Sequence, residues 1–423
     1  MFNQLMSSFV RIYSASGAVA GNGLLVDKKR VLTSASTVAD ALGIPPETHS
    51  ADEAEVQVDF PCVGADQRIK ARVVFWQPPL ATDEAGSDIA VLELECCPPD
   101  EVECIPPPAP TNMHYINIAR AITDGRVVPF LGAGASLFGR PEGASFQPGH
   151  HLPGGGELAT HLAETYGYPL AEMRDLVRVS QYVTLVSGLG PLYSTLHEFF
   201  DVDYPVTDLH RFFASLPALL REKGHRPKYQ LIVTTNYDDV LERAFRDAGE
   251  PFDLVSYVAD GNQRGKFLHW PPDGDVRLID RPNEDRIIST DKRTVILKIH
   301  GAIDRLNPDR DSYVITEDHY IDYLTHTDVS NLIPVTLAAK LKMSHFLFLG
   351  YSLRDWNLRV ILHRIWGEQI LNFKSWAIQI NPQEMDQRFW TKRDVDILNA
   401  RLEDFISQLS SRLHASPPVG GRS

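Results

Sequence analysis

Two short segments of the sequence place side chains that could do chemistry directly after an apolar run. Residues 234–239 read TTNYDD and follow QLIV, so Asn236 and Asp238 stand where that run ends. Residues 298–301 read KIHG and follow TVIL, which puts His300 in an equivalent position. A neutral imidazole can accept a proton near pH 7 or contact a ribose hydroxyl. We expect these three side chains to act on a bound small molecule; the alternatives are a helix cap at Asp238 or Asp239 and a purely structural histidine.

Three further segments combine glycine with polar residues at the ends of apolar runs. Residues 130–136 read FLGAGAS, residues 349–352 read LGYS, and residues 379–381 read QIN. Glycines at such turns let backbone N–H groups approach a pyrophosphate. GAGAS alone also fits an ordinary tight turn, and only the joint occurrence of the segments favours a nucleotide site.

The apolar runs that carry these segments predict the strands of one sheet. They alternate with amphipathic stretches, an order typical of a Rossmann-like, doubly wound parallel sheet with a helical insertion. The carboxyl ends of such strands share a ligand crevice. Pro129 argues against a central strand, because proline lacks the N–H that a strand ladder needs. Two insertions interrupt the pattern: we expect residues 155–228 to form a helical cap or partner surface, and residues 262–293 a loop over the site.

The ordered set GAGAS, TTNYD, KIHG, GYS and QIN resembles the sirtuin superfamily over about residues 117–409. It matches the prokaryotic sirtuin-like branch found in anti-phage defence proteins, where TTNYD and GYS replace TQNID and GTS. The resemblance implies that Asn236 orients the nicotinamide ribose or the attacking water, that Asp238 lies beside the nicotinamide, and that His300 is a general base on a ribose hydroxyl. The residues implied to contact the rest of NAD are Gly132, Ala133, Gly134, Ala135, Ser136, Thr235, Gly350, Tyr351, Ser352 and Asn381.

The activity that this resemblance implies is hydrolysis of NAD, the substrate, to nicotinamide and ADP-ribose. Protein deacylases of the superfamily carry a zinc module of four cysteines, whereas residues 111–423 contain no cysteine, so we expect water as the acceptor and no metal. The implied role is NAD depletion in abortive infection, in a homo-oligomer or with a separate sensor, ATPase or phage-derived protein. Two alternatives stay open: a non-catalytic sensor of NAD or ADP-ribose, and a protein deacylase or ADP-ribosyltransferase.

The N-terminal quarter of the chain has a different residue pattern. Short β-rich runs predict a small all-β domain over residues 1–97, followed by a proline-rich linker over 98–112, the sirtuin-like domain over 113–415 and a flexible tail over 416–423. The segment GNGLLVDKKRVLTSAS resembles the first barrel of trypsin-like proteases. Asp88 matches the triad aspartate of that family, but Ser36 stands where its histidine would be. We therefore expect an inactive pseudoprotease module that serves recognition or assembly; the alternative is a small β domain that only stabilises the chain.

Charge and hydropathy narrow the choice of partners. The net charge is −14, and residues 1–110 hold 16 Asp/Glu against 7 Lys/Arg, so direct binding of nucleic acid is not expected. The apolar run over residues 332–350 is interrupted by Lys340 and Lys342, which argues against a membrane span. These features predict a cytoplasmic protein.

Overall fold

The computed structural model describes residues 8–26, 29–48, 51, 53–61, 68–79, 88–95, 109–141, 143–144, 146–169, 175–225, 229–325, 333–351, 362, 373–382 and 384–415. The chain divides into two compact units, residues 1–107 and 108–423. Most of the predicted linker, residues 98–108, and the predicted tail, residues 416–423, lie outside the described residues.

The first unit is a closed antiparallel barrel of six strands in the order β1-β2-β3-β6-β5-β4. Buried and exposed residues alternate along several of its strands, which places one apolar face of the sheet inside the barrel. This agrees with the small all-β domain expected from the sequence. The strands are β1 (Phe9–Tyr13), β2 (Val19–Leu25), β3 (Arg30–Thr33), β4 (Glu55–Asp59), β5 (Ile69–Gln77) and β6 (Ile89–Leu94), and the helix α1 (Ala35–Leu42) follows β3.

The N-terminus of α1 is capped by two side chains. Ser34 accepts a hydrogen bond from Thr37 N at 3.0 Å. Asp88 accepts two more, from the backbone N and the hydroxyl of Ser36, each at 2.6 Å. Because the first N–H groups of a helix have no partner within it, a carboxylate at this place satisfies a donor and favours the helix dipole. Asp88 thus acts here as a helix cap.

We expect Asp88→Gly to loosen α1. Glycine suits the φ of 72° at this position, so the substitution removes the cap without adding backbone strain. Loss of a cap costs about 1 kcal/mol, which corresponds to a roughly fivefold faster amide exchange in α1. Hydrogen–deuterium exchange of residues 35–42 measures this, with the exposed Asp40→Ala as the control on the same helix. Equal exchange in the two variants would show that the cap contributes nothing.

The second unit is built on a nine-stranded sheet in the order β11-β10-β9-β12-β8-β7-β13-β14-β15. Seven strands, from β9 to β15 across the sheet, run parallel, while β10 and β11 pair in antiparallel fashion at one edge. The strands are β7 (Val127–Leu131), β8 (Leu231–Thr234), β9 (Phe252–Tyr257), β10 (Phe267–Trp270), β11 (Arg277–Ile279), β12 (Thr294–Lys298), β13 (His345–Leu349), β14 (Ser375–Gln379) and β15 (Val395–Asn399).

Both faces of this sheet are covered, as a doubly wound fold requires. Val128 and Phe130 of β7 belong to one apolar core, whereas Val127 and Leu131 belong to the core on the opposite face. The helices of the second unit are α2 (Asn112–Thr123), α3 (Ala133–Ser136), α4 (Gly155–Tyr166), α5 (Leu176–Ser187), α6 (Leu189–Phe200), α7 (Asp208–Glu222), α8 (Val240–Asp247), α9 (Glu317–Thr325), α10 (Val335–Lys342), α11 (Glu384–Thr391) and α12 (Leu402–Ala415).

The two predicted insertions, residues 155–228 and 262–293, differ in structure. The first contains the helices α4, α5, α6 and α7, as expected, and α4, α5 and α6 contribute to a third apolar core of their own. The prediction of a loop over residues 262–293 is wrong in part, because β10 and β11 lie within it. Both strands are only three or four residues long and sit among Asp, Gly and Pro, so their periodicity is too short to recognise.

Pro129 is compatible with its central strand because of the side it faces. Leu131 O accepts a hydrogen bond from Thr235 N on the β8 side. In a parallel strand alternate residues bond the same neighbour, so Pro129 also faces β8. Pairing between β7 and β8 begins only at Phe130, and the missing N–H therefore removes no ladder hydrogen bond.

Candidate functional site

A cavity of about 390 Å³ lies at the carboxyl ends of the parallel strands. It opens where β7 is flanked by β8 on one side and β13 on the other. At such a point the connections leave in opposite directions and the strand ends spread apart, which is where doubly wound sheets bind ligands. The lining residues are Ala133, Ser136, Leu152, Pro153, Gly154, Gly155, Gly156, Leu158, Leu176, Phe200, Thr235, Asn236, Tyr237, Asp238, His300, Tyr320, Gly350 and Tyr351.

The floor of the cavity is a close backbone contact between the GAGAS turn and Gly350. Gly132 N donates to Leu349 O at 3.0 Å, and Gly134 N donates to Gly350 O at 2.9 Å. A Cβ on Gly350, whose φ is 72°, would lie 2.0 Å from Ala135 N. Only glycine therefore permits this approach.

The side chain of Asn236 is hydrogen-bonded to the same turn. Its Nδ2 donates to Gly132 O at 3.2 Å and to the Ser136 hydroxyl at 3.0 Å. Its backbone N donates to the Thr234 hydroxyl at 3.0 Å, and that hydroxyl donates in turn to Leu131 O at 2.9 Å. Since both Nδ2 protons are used, Asn236 can offer only its Oδ1 to a ligand.

A second polar contact joins the ends of β8 and β13. The hydroxyls of Thr235 and Tyr351 lie 2.8 Å apart. Gln379 at the end of β14 donates to Tyr351 O at 2.9 Å, and the Tyr351 ring packs 5.5 Å from the Phe130 ring. These contacts hold the aromatic ring of Tyr351 at the cavity wall.

His300 is a buried, neutral side chain. It is 6% exposed, and the edge of its ring meets Tyr320 at 5.5 Å with the planes at 84°. Burial lowers the pKa of His300 to about 3. The imidazole is therefore uncharged at pH 7 and can accept a hydrogen bond, whereas burial strongly disfavours its protonated form.

Asp238 lies at the entrance to α8. Its Oδ1 accepts a hydrogen bond from Val240 N at 3.1 Å, so this carboxylate has the helix-cap role that the sequence left open. Asp238 also lines the cavity, and burial raises its pKa above the usual value. Capping and ligand contact are thus combined in one side chain.

Arginines tie the next residue, Asp239, to the helical insertion. Arg243 donates to Asp239 Oδ1 at 3.1 Å. Arg305 donates to Asp201 at 2.7 Å and Asp203 at 2.8 Å, and approaches Asp239 Oδ2 at 3.5 Å. Hydrogen bonding to Asp201 is the largest cause that raises the pKa of Arg305. The end of α6 and the start of α8 are therefore joined by one guanidinium.

The outer wall of the cavity comes from Leu152 and from the helical insertion, whose individual residues were not among the predicted site residues. Leu152, Leu158, Leu176 and Phe200 make this wall apolar. The start of α4 beside them is held by Glu157, which accepts from Gly154 N at 2.9 Å and from Arg140 at 2.6 and 2.8 Å. The signal in the sequence was PGGGE, a flexible turn followed by a capping glutamate.

The predicted site residues fall into three groups. Gly132, Gly134 and Ala135 belong to the GAGAS turn but do not line the cavity. Asn381 is exposed and donates its backbone N to Asn399 Oδ1 at 2.9 Å, also away from the lining. Ser352 lies outside the described residues. Those that line the cavity are Ala133, Ser136, Thr235, Asn236, Asp238, His300, Gly350 and Tyr351.

Neither a metal cluster nor a membrane span occurs within the described ranges. In that part of the chain no group of three or more His, Cys, Asp or Glu is placed to hold a metal ion. None of the described helices combines the length and the apolar character that crossing a membrane requires.

Comparison with known families places the motifs in a wider group. The family described as a SIR2-like domain matches residues 230–398. This stretch of the second unit includes the segments TTNYD, KIHG and GYS. The resemblance to sirtuin-like proteins that the sequence predicted is confirmed.

Two curated relatives extend the comparison. An NAD(+) hydrolase ThsA from Enterococcus faecium is 30% identical over 250 residues, which cover 58% of this chain and 41% of that protein. Defense-associated sirtuin 2 from Bacillus subtilis is 24% identical over 293 residues, covering 67% of this chain and 24% of that protein. The chain thus spans less than half the length of either relative.

Solved structures add no argument about the barrel. Rv3671c of M. tuberculosis in an inactive form is 25% identical, with 25% of this chain and 42% of that chain covered and a TM-score of 0.16. That score is too low to support a fold assignment, so the resemblance of residues 1–97 to a trypsin-like barrel stays a prediction.

We expect Gly350→Ala to disrupt the floor of the cavity. The added Cβ must displace the backbone of Ala135, and strain of this kind costs on the order of 3 kcal/mol or more. The matched control is Gly167→Ala, which has a φ of 65° but nothing within 4 Å of the added carbon, so only the cost of the left-handed backbone, about 1 kcal/mol, applies. Thermal unfolding compares the two; equal losses would mean that the close approach is unimportant.

We expect His300→Gln to flatten the dependence of stability on acid pH. The pKa of His300 is about 3 in the folded protein against 6.5 for an unperturbed histidine, so below pH 6.5 the unfolded chain binds a proton that the folded chain does not. Stability from this residue is complete above pH 6.5 and falls by about 1.4 kcal/mol per pH unit as the pH drops towards 3.

Urea unfolding between pH 4 and 7 measures this slope. The glutamine side chain of the variant cannot titrate, so the free energy of unfolding of the variant falls less steeply than that of the wild type. The exposed His414→Gln is the control. Identical slopes for the wild type and His300→Gln would contradict the buried neutral state.

Proposed function

We propose that this chain, whose residues 230–398 match a SIR2-like domain, hydrolyses NAD to nicotinamide and ADP-ribose and depletes NAD as the effector of an anti-phage defence system. The observation that carries the proposal is the meeting of Ser136, Asn236, His300 and Gly350, from four separate strand ends, in one cavity. The printed names of the relatives, an NAD(+) hydrolase and a defence-associated sirtuin, support the same direction.

The turn over residues 132–136 supplies the site for the pyrophosphate. Gly132 N and Gly134 N already donate to the carbonyls of Leu349 and Gly350, so we assign the phosphate to Ala133 and Ser136, the residues of the turn that line the cavity. Gly132 and Gly134 lie behind the cavity surface, where the lack of a Cβ permits the close approach of Gly350.

Cleavage takes place at the nicotinamide ribose in this scheme. The bond between C1′ and the pyridinium nitrogen breaks, its electron pair goes to that nitrogen, and nicotinamide leaves neutral. Water then adds to C1′, which has gained positive charge, and its proton passes to solvent. Asn236 Oδ1 is the group we assign to orient the water or the ribose, since its Nδ2 is already bonded to the turn.

His300 has a defined protonation state for its role. Because burial keeps the imidazole neutral at pH 7, it can accept a hydrogen bond from a ribose hydroxyl. This bond shifts electron density from the hydroxyl towards the ribose ring as positive charge develops there. Its low pKa disfavours complete proton transfer. We therefore assign His300 as a hydrogen-bond acceptor that polarises the hydroxyl.

We expect Asn236→Ala and His300→Ala each to lower NAD cleavage by at least about a hundredfold, because each removes a group that acts near the transition state. The measurement is NAD loss and nicotinamide release in cells that express wild type or variant, with and without phage challenge. The exposed Asn262→Ala serves as the control.

The outcomes separate three classes of protein. NAD loss with wild type and Asn262→Ala alone supports the hydrolase. Unchanged NAD in every condition, with tight NAD binding retained, indicates a non-catalytic sensor. NAD consumption that requires an added protein acceptor indicates a deacylase or an ADP-ribosyltransferase.

A further inference from the structure

The KIHG motif contains a second polar residue that the proposed chemistry does not use. Lys298 is the last residue of β12, two positions before His300, and its side chain is 1% exposed. Its ammonium lies 2.7 Å from Glu242 Oε1 of α8, and the Glu242 side chain is 2% exposed. An ion pair is thus buried beneath the cavity.

The same ammonium also bonds the loop that carries Asn236 and Asp238. Lys298 Nζ donates to Tyr237 O at 3.3 Å and to Asp238 O. Together with Glu242, these carbonyls give the ammonium three acceptors, which is the number of protons it can donate.

These two carbonyls belong to the peptide units on either side of the Asp238 Cα. When both flanking peptide planes are tied to one buried cation, the φ and ψ of Asp238 have little freedom. The loop between β8 and α8 is then fixed from below, while Asn236 is fixed from above by the GAGAS turn. Lys298 therefore controls a backbone that the cavity uses directly.

Stability alone is a poor explanation for this pair. A buried ion pair commonly contributes no more than two apolar side chains of similar volume would. In addition, Glu242 Oε2 is buried without a hydrogen-bond partner among the described residues, and a buried unbonded oxygen is destabilising. Lys298, by contrast, is a donor that reaches both loop carbonyls, and of these Tyr237 O also accepts from Ile303 N at 3.0 Å.

We propose that Lys298 is a positioning residue for NAD cleavage: paired with Glu242, it holds the peptide units around Asp238 so that Asn236 and Asp238 keep their places in the cavity. This inference rests on the proposed hydrolase function. Lys298 itself does not line the cavity, so it acts through the loop.

The test is the double substitution Lys298→Met with Glu242→Met in the full chain. Removing both charges together avoids an unpaired buried ion, so we expect the variant to fold, with an unfolding temperature lowered because Asp238 O loses its donor. We expect kcat for NAD to fall about a hundredfold, as for a small misplacement of reacting groups, with KM changed little. Amide exchange in residues 234–240 should become faster.

A matched control removes another ion pair from the neighbourhood of α8. Arg221→Met with Glu250→Met eliminates a pair between the end of α7 and the segment that follows α8, away from the loop carbonyls. We expect this variant to keep the wild-type kcat and the wild-type exchange of residues 234–240.

Several results would overturn the proposal. A folded Lys298→Met/Glu242→Met variant with wild-type kcat and wild-type loop exchange would show that Lys298 has no positioning role. If that variant does not fold, Lys298→Gln/Glu242→Gln, a neutral pair of similar length, takes its place with the same two readouts. If wild type cleaves no NAD, the proposed function fails, and loop exchange alone decides whether Lys298 orders the loop.

Discussion

The structure of the second unit depends on the approach of two backbones where β7 and β13 end. The amide of Gly134 bonds the carbonyl of Gly350 at 2.9 Å, and neither position has room for a Cβ. This contact sets the distance between the two strand ends at the point where the connections leave the sheet in opposite directions. The cavity, the Asn236 anchor and the Thr235–Tyr351 contact are all built on that distance.

Much of this arrangement follows from local sequence. Polar residues that terminate apolar runs indicated which strand ends face the ligand, and Asn236, Asp238 and His300 do line one cavity. The reason is physical: in a parallel sheet buried on both faces, a strand reads as an unbroken apolar run, and the first polar residue marks its exit.

Other features depend on contacts distant in sequence, which local pattern does not report. The apolar wall from Leu152, Leu158 and Phe200 exists only because the helical insertion folds back over the strand ends. The low pKa of His300 results from its burial, which the KIHG motif by itself does not report. Asn381 also ends an apolar run. It follows β14, which lies next to the edge strand β15, and it is exposed and away from the cavity lining.

A cluster of carboxylates adjoins Phe200 and Asp238, two residues that line the cavity. Asp201, Asp203 and Asp239 share the guanidinium groups of Arg243 and Arg305, so carboxylates outnumber guanidinium groups at this side. On the opposite side Ala133 and Ser136 of the GAGAS turn line the cavity, and backbone N–H groups carry partial positive charge. A dinucleotide with an anionic diphosphate and a cationic pyridinium ring would meet opposite fields at its two ends, and the protein would thereby favour a single direction of entry over the reverse.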